Sequence, residues 1–140
     1  MYLTRQPDPH ATLWRLAGAA FAVGLAAIFA VAYSGRIPAI IGLLPHYDVY
    51  GHMALYGLLA YLMHRSLQRL GVRCGALTMP VGPVLILALA AAEELLQGLS
   101  PLRSASWRDL AADLAGMVLA LLLDALWLRR QAGRRATRIA

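Results

Sequence analysis

LAGAAFAVGLAAIFAVAY, residues 16–33, carries no charged side chain over eighteen positions. A helix rises about 1.5 Å per residue, so crossing a hydrocarbon layer takes about 20 largely apolar residues. With its flanks, the run predicts a membrane span over about 14–34. Arg15 ahead of it and Ala30-Val31-Ala32 near its end imitate a secretory signal. The apolar run is longer than the usual core of about 7–15 residues in such a signal, so an uncleaved span is expected.

Three further stretches read the same way, over about 47–66, 76–98 and 109–129. Pro80 and Pro83 fall in the first turns of the third, where early helical N–H groups lack partners in any case. Composition agrees: of 140 residues, 60% are hydrophobic and 14% charged. Soluble domains carry about 25% charged residues, so this surface calls for lipid as its solvent. The expectation is an all-α integral membrane protein, a single domain over 1–140 built as a four-transmembrane-helix bundle.

Orientation follows from arginine, which supplies every basic residue of the +6 net charge. Arg5, Arg15, Arg65, Arg69, Arg73, Arg129, Arg130, Arg134, Arg135 and Arg138 fall on one side of the four spans, and Arg36, Arg103 and Arg108 on the other. Positive residues collect in the cytoplasm, which puts both termini there, with a basic cytoplasmic tail over 129–140. Arginines placed between and after apolar spans, with no basic polar face, argue against nucleic acid as a partner. The lone Cys74 excludes an intrachain disulfide and a cysteine zinc site.

Polar residues within the spans recur in a pattern. Asp48, His52 and Tyr56 are spaced by four and drift only about 40° per step, so they form one stripe on the second span. Glu93, Glu94 and Gln97 close the third span; Asp109, Asp113 and Gly116 open the fourth. All three groups converge on the outer leaflet. His52, Glu94 and Asp113 lie about one turn, or about 5–6 Å, deeper than Asp48, Gln97 and Asp109. A charged group at the bilayer centre costs at least about 2.5–3.5 kcal/mol, so such residues usually face an interior site. Plainer roles compete: Asp48 and Asp109 as helix caps, Arg103 and Arg108 as partners of Glu94 or Asp109, Glu93 reaching headgroups, and Asp124 paired with Arg129 or Arg130. Asp48, His52, Glu94 and Asp113 offer oxygen and imidazole ligands, but the absence of H-E-x-x-H, of a second histidine at ligand spacing and of phosphate loops leaves no metal and no cofactor expected.

Asp48-x3-His52-x3-Tyr56, Glu94-x2-Gln97 and Pro101-x-Arg103-x5-Asp109-x3-Asp113-x2-Gly116 together resemble the VanZ-like family. Val49 stands where that family commonly has Lys, Leu102 where Gly is frequent, and Asp113 where Asn is common, which makes the cleft more acidic. The resemblance implies a multi-pass protein of the bacterial cytoplasmic membrane, and the family's namesake is associated with low-level teicoplanin resistance. The function expected is binding of an anionic envelope lipid or lipid-linked cell-wall precursor. Asp48, Tyr56, Gln97, Arg103, Arg108 and Asp109 would hold the ligand, the arginines through its phosphate. One alternative is an enzyme using His52, Glu94 and Asp113 for acid–base chemistry; another is a structural accessory of a membrane complex. Membrane lipids are the expected partners, with a second copy of the chain as a further one.

Overall fold

The computed structural model describes residues 1–36, 45–99 and 105–139. Among them are β1 (Tyr2–Thr4), α1 (Ala11–Tyr33), α2 (Tyr47–Ser66), β2 (Gly71–Cys74), β3 (Leu77–Pro80), α3 (Val81–Gln97) and α4 (Trp107–Ile139). The protein is mostly helical, and α2 has the bounds its sequence predicts.

It is not all-α. β1, β2 and β3 form one antiparallel sheet in that order, with Thr4 opposite Gly71 and Cys74 opposite Leu77. Gly75 takes the first place of the two-residue turn with φ +61°, a left-handed value that suits a hairpin and that glycine adopts without strain. Residues 76–80 are therefore turn and strand rather than the start of the third helix. Pro80, extended at φ −74° and ψ 120°, hands the chain over to α3. The basic stretch after the fourth expected span is helical: α4 continues to Ile139, since Arg, Gln and Ala favour helix and no proline interrupts them.

Two helices, α1 and α4 (over Trp107–Arg134), are long and apolar enough to cross a membrane. The 17 residues of α3 sit at the lower limit of the about 17–25 a span takes, and α2 carries Asp48, His52, His64 and Arg65.

α2 is the central helix. Gly18 of α1 lies against Leu62 and Ser66 while Phe29 lies by Tyr56, so α1 runs antiparallel to α2. α3 is also antiparallel, with Gly82 against His64. α4 runs parallel to α2, pairing Asp113 with His52 and Asp124 with Arg65. Glycine permits the closest approach. A Cβ on Gly57 would stand 2.8 Å from the Gly116 carbonyl oxygen, and one on Gly116 would fall on the Met53 carbonyl. Small residues let membrane helices touch backbone to backbone in this manner.

The interior is unusual. Leu25, Tyr56, Leu59, Ala60, Ile86, Ala90 and Met117 form the apolar core. Asp8, Arg65, Ser66, Glu93, Glu94, Gln97, Asp109, Asp113 and Asp124 are buried beside it, while Val23, Ile28, Leu85, Leu89, Leu119, Leu122 and Leu123 are exposed.

Candidate functional site

One turn separates His52 from Tyr56, so both project from α2 to the same side, and their rings stack at 5.8 Å with planes 13° apart. The Gly57–Gly116 contact brings α4 close enough for His52 Nδ1–H to donate to Asp113 Oδ1 at 3.0 Å. A carboxylate acceptor assigns the proton to Nδ1 and turns the lone pair of Nε2 outward. Facing Nε2 at 3.9 Å is Asp109 Oδ2.

Ser106 sets the start of α4. Its Oγ and carbonyl oxygen accept from the Asp109 N–H at 3.4 and 3.0 Å. The capping role expected of Asp109 thus belongs to Ser106, leaving the Asp109 carboxylate free to face His52. The Ser106 N–H also donates to Glu94 Oε2 at 2.6 Å, tying the end of α3 to the start of α4. Ligand atoms of His52, Glu94 and Asp109 all lie within 4.8 Å of one another.

Glu93 belongs to the same end. It is buried, accepting from Tyr33 Oη–H at 3.1 Å and from Gln97 Nε2–H at 2.6 Å. The expectation that it reaches headgroups is therefore corrected. Adjacent positions on α3 lie about 100° apart, and both are enclosed because one faces α1 and the other α4. Three buried oxygens here have no hydrogen-bonding partner among the described residues: Tyr56 Oη, Glu94 Oε1 and Asp113 Oδ2.

The structure thus gathers His52, Tyr56, Glu94, Gln97, Asp109 and Asp113. Asp48 is exposed at the head of α2 and takes no part in these contacts. Arg108 is exposed and forms no ion pair among the described residues. Arg103 lies outside the described residues. Sequence reasoning missed Tyr33 and Ser106 and turned Glu93 away from the site; a serine three residues before Asp109 was a readable cap signal, whereas Tyr33 had none.

The other end holds a second polar group. Arg65 donates to Asp8 Oδ2 from Nη2 at 2.7 Å and from Nε at 3.2 Å, and to Tyr61 Oη at 2.9 Å. Its guanidinium lies 4.2 Å from the centre of the Trp14 ring. Arg69 grips Asp124 with Nε and Nη2 at 2.7 and 2.8 Å. Asp124 therefore pairs with Arg69, not with Arg129 or Arg130. The left-handed backbone at Gln68 and Arg69, φ 55° and 53°, turns the chain off the α2 axis just where Arg69 meets α4. Burial pushes the Asp8 carboxyl up, but hydrogen bonds from the His10 N–H and from Arg65 outweigh it and hold the pKa below its ordinary value.

Two apolar grooves lie elsewhere. One of about 310 Å³ runs along α1 and α2 beside Gly18 and Met63. Another of about 360 Å³ runs between Leu58 and Trp127. Neither of these two grooves is lined by His52. No protein-family model, curated protein or solved structure matches the chain.

Proposed function

We propose that the chain is a VanZ-like multi-pass protein of the bacterial cytoplasmic membrane that binds an anionic envelope lipid or lipid-linked cell-wall precursor at its outer leaflet. All four helices would cross, with both termini in the cytoplasm. The observation that carries this reading is the buried cluster of His52, Glu93, Glu94, Asp109 and Asp113, with three unpartnered oxygens, inside a bundle whose outward side chains are apolar. In water, exposure of so many large apolar groups would drive association; in lipid it is solvation, and ionisable groups then belong inside.

The topology fits. β1 and the β2–β3 hairpin form one sheet, which keeps the N-terminus on the side of the arginine-rich connection. Asp124 meets Arg65 and Arg69 at that same end, so the latter half of α4 returns there. Ten of the thirteen arginines then fall on the cytoplasmic side. An acid–base enzyme is the second reading, favoured by the His52–Asp113 hydrogen bond, which orients an imidazole as general acid–base catalysis requires. A bearing on teicoplanin tolerance belongs to the first reading.

The test is lipid analysis of the protein purified in mild detergent, paired with reporter fusions at Ala140. An anionic lipid enriched over the bulk membrane and lost in His52→Ala supports binding. Lipid in bulk proportions in both proteins, or a C-terminal reporter active only outside the cytoplasm, defeats the reading.

A further inference from the structure

The geometry points to a divalent transition-metal site of the zinc type, held by His52 Nε2, one carboxylate oxygen of Glu94 and one of Asp109, with Asp113 as the positioning residue behind the imidazole. The ligands come from three helices, and the structure puts Asp109, rather than Asp48 or Asp113, beside His52 and Glu94 as the third.

Three features support the assignment independently. The first is distance: the three donor atoms lie within 4.8 Å of one another, and His52 Nε2 is 3.9 Å from Asp109 Oδ2. Zinc bonds of about 2.0–2.2 Å at the tetrahedral angle place donors roughly 3.4 Å apart, so small side-chain rotations close the set. The second is orientation. Metal-bound histidines characteristically donate their other ring N–H to a carboxylate, which fixes the tautomer and aims the free nitrogen. His52 does this through Nδ1 to Asp113, whose side chain is 1% exposed. The third is an orphan. Glu94 is 6% exposed, yet its Oε1 meets no hydrogen-bond donor among the described residues. Leaving a buried acceptor unsatisfied costs about 1–3 kcal/mol, and more when it is charged.

Charge completes the argument. Glu93, Glu94, Asp109 and Asp113 put four carboxylates around one imidazole, and no arginine pairs with them among the described residues. A divalent cation would offset part of that negative charge. One imidazole with two carboxylates suits a borderline first-row ion such as Zn²⁺ better than Mg²⁺, which prefers oxygen ligands alone. Three protein ligands leave a fourth position for water or for an oxygen of a bound anion. The site does not depend on the lipid reading, and zinc is therefore titrated without any anionic lipid.

The experiment uses the full chain in phosphatidylcholine nanodiscs, stripped with chelator and titrated with zinc chloride, with bound metal counted by mass spectrometry. The expected result is one zinc per chain, lost in His52→Ala and in Asp109→Asn. Asp113→Asn should retain the site but weaken it roughly 10–100-fold, a graded loss typical of a residue that orients a ligand. Asp48→Asn should bind as the unaltered protein does. Helical content by circular dichroism separates loss of a ligand from loss of fold. Absence of saturable zinc binding would overturn the proposal, as would equal affinity in the folded His52→Ala protein, where zinc would be sitting on His10, His46 or His64.

Discussion

The two ends of the α2–α4 contact bury polar groups by opposite rules. At the Arg65 end, two guanidiniums face two carboxylates, and every Arg65–Asp8 and Arg69–Asp124 contact is made at hydrogen-bonding distance. At the His52 end, four carboxylates share one imidazole among the described residues, and three oxygens go without a partner among them. A charge-balanced network explains itself as structure, even though Trp14 Nε1 and His64 Nδ1 beside it lack a hydrogen-bond partner among the described residues. An excess of buried carboxylates marks a candidate functional site, which is why the functional reading rests on His52 and not on Arg65.

The largest test of that contrast removes a member of the balanced network. Arg65→Ala leaves Asp8 without its principal partner and strips the cation from the face of Trp14. Breaking a buried pair from one side typically costs about 3–5 kcal/mol. Thermal unfolding in detergent should show a loss of that order. A loss under about 1 kcal/mol would make this end a surface feature of little weight.

Gly116→Val attacks the hinge common to both ends. Its Cβ would meet the Met53 backbone, which cannot rotate away as a side chain can. Overpacking costs typically about 1–3 kcal/mol, and the displacement should also separate His52 from Asp113. A stability loss with zinc binding and lipid retention intact would show that the close approach does not position the site.

Acidity probes the balanced end more gently. The Asp8 pKa is lowered in the folded protein, so its contribution is full above the ordinary value of 3.8 and is lost as pH falls through the lower folded value. Unfolding followed between neutral pH and pH 3 should therefore steepen only below about 4. Asp8→Asn should flatten that acid limb while leaving its slope near neutrality unchanged. An acid limb of the same depth in Asp8→Asn would remove Asp8 from the network's accounting.

How far these ends were legible depends on the range of the signal. The His52 end was visible because helical spacing is local: His52 and Tyr56 are four apart, as are Asp109 and Asp113. Convergence then needed only the topology. Arg65 and Arg69 were read as loop charges because nothing nearby in sequence names Asp8 or Asp124 as partners; those pairs span 57 and 55 residues. The sheet was hidden for a related reason. GVRC and LTMP are short, and they lie between apolar runs that helical periodicity claimed first. Asp48 was drawn into the site by the stripe it shares with His52, but the first turn of α2 protrudes beyond the packing that encloses the next one.

The smallest expected change in stability is also the sharpest discriminator. Asp113→Asn is nearly isosteric, and the amide oxygen can still accept from His52 Nδ1–H, so the ring need not move. The substitution removes one negative charge from a buried set of four and replaces the unpartnered Oδ2 with an NH₂ group, which can donate. Like charges held close together destabilise a fold, and functional sites commonly retain such strain. In chelator, where no bound metal adds to stability, the variant should unfold within about 0.5 kcal/mol of the unaltered protein, or somewhat later. Zinc affinity should nevertheless fall, since a neutral amide polarises the imidazole less than a carboxylate does. If Asp113→Asn instead unfolded as readily as Arg65→Ala, the two ends would be obeying the same rule, and the His52 cluster would be a second structural clasp.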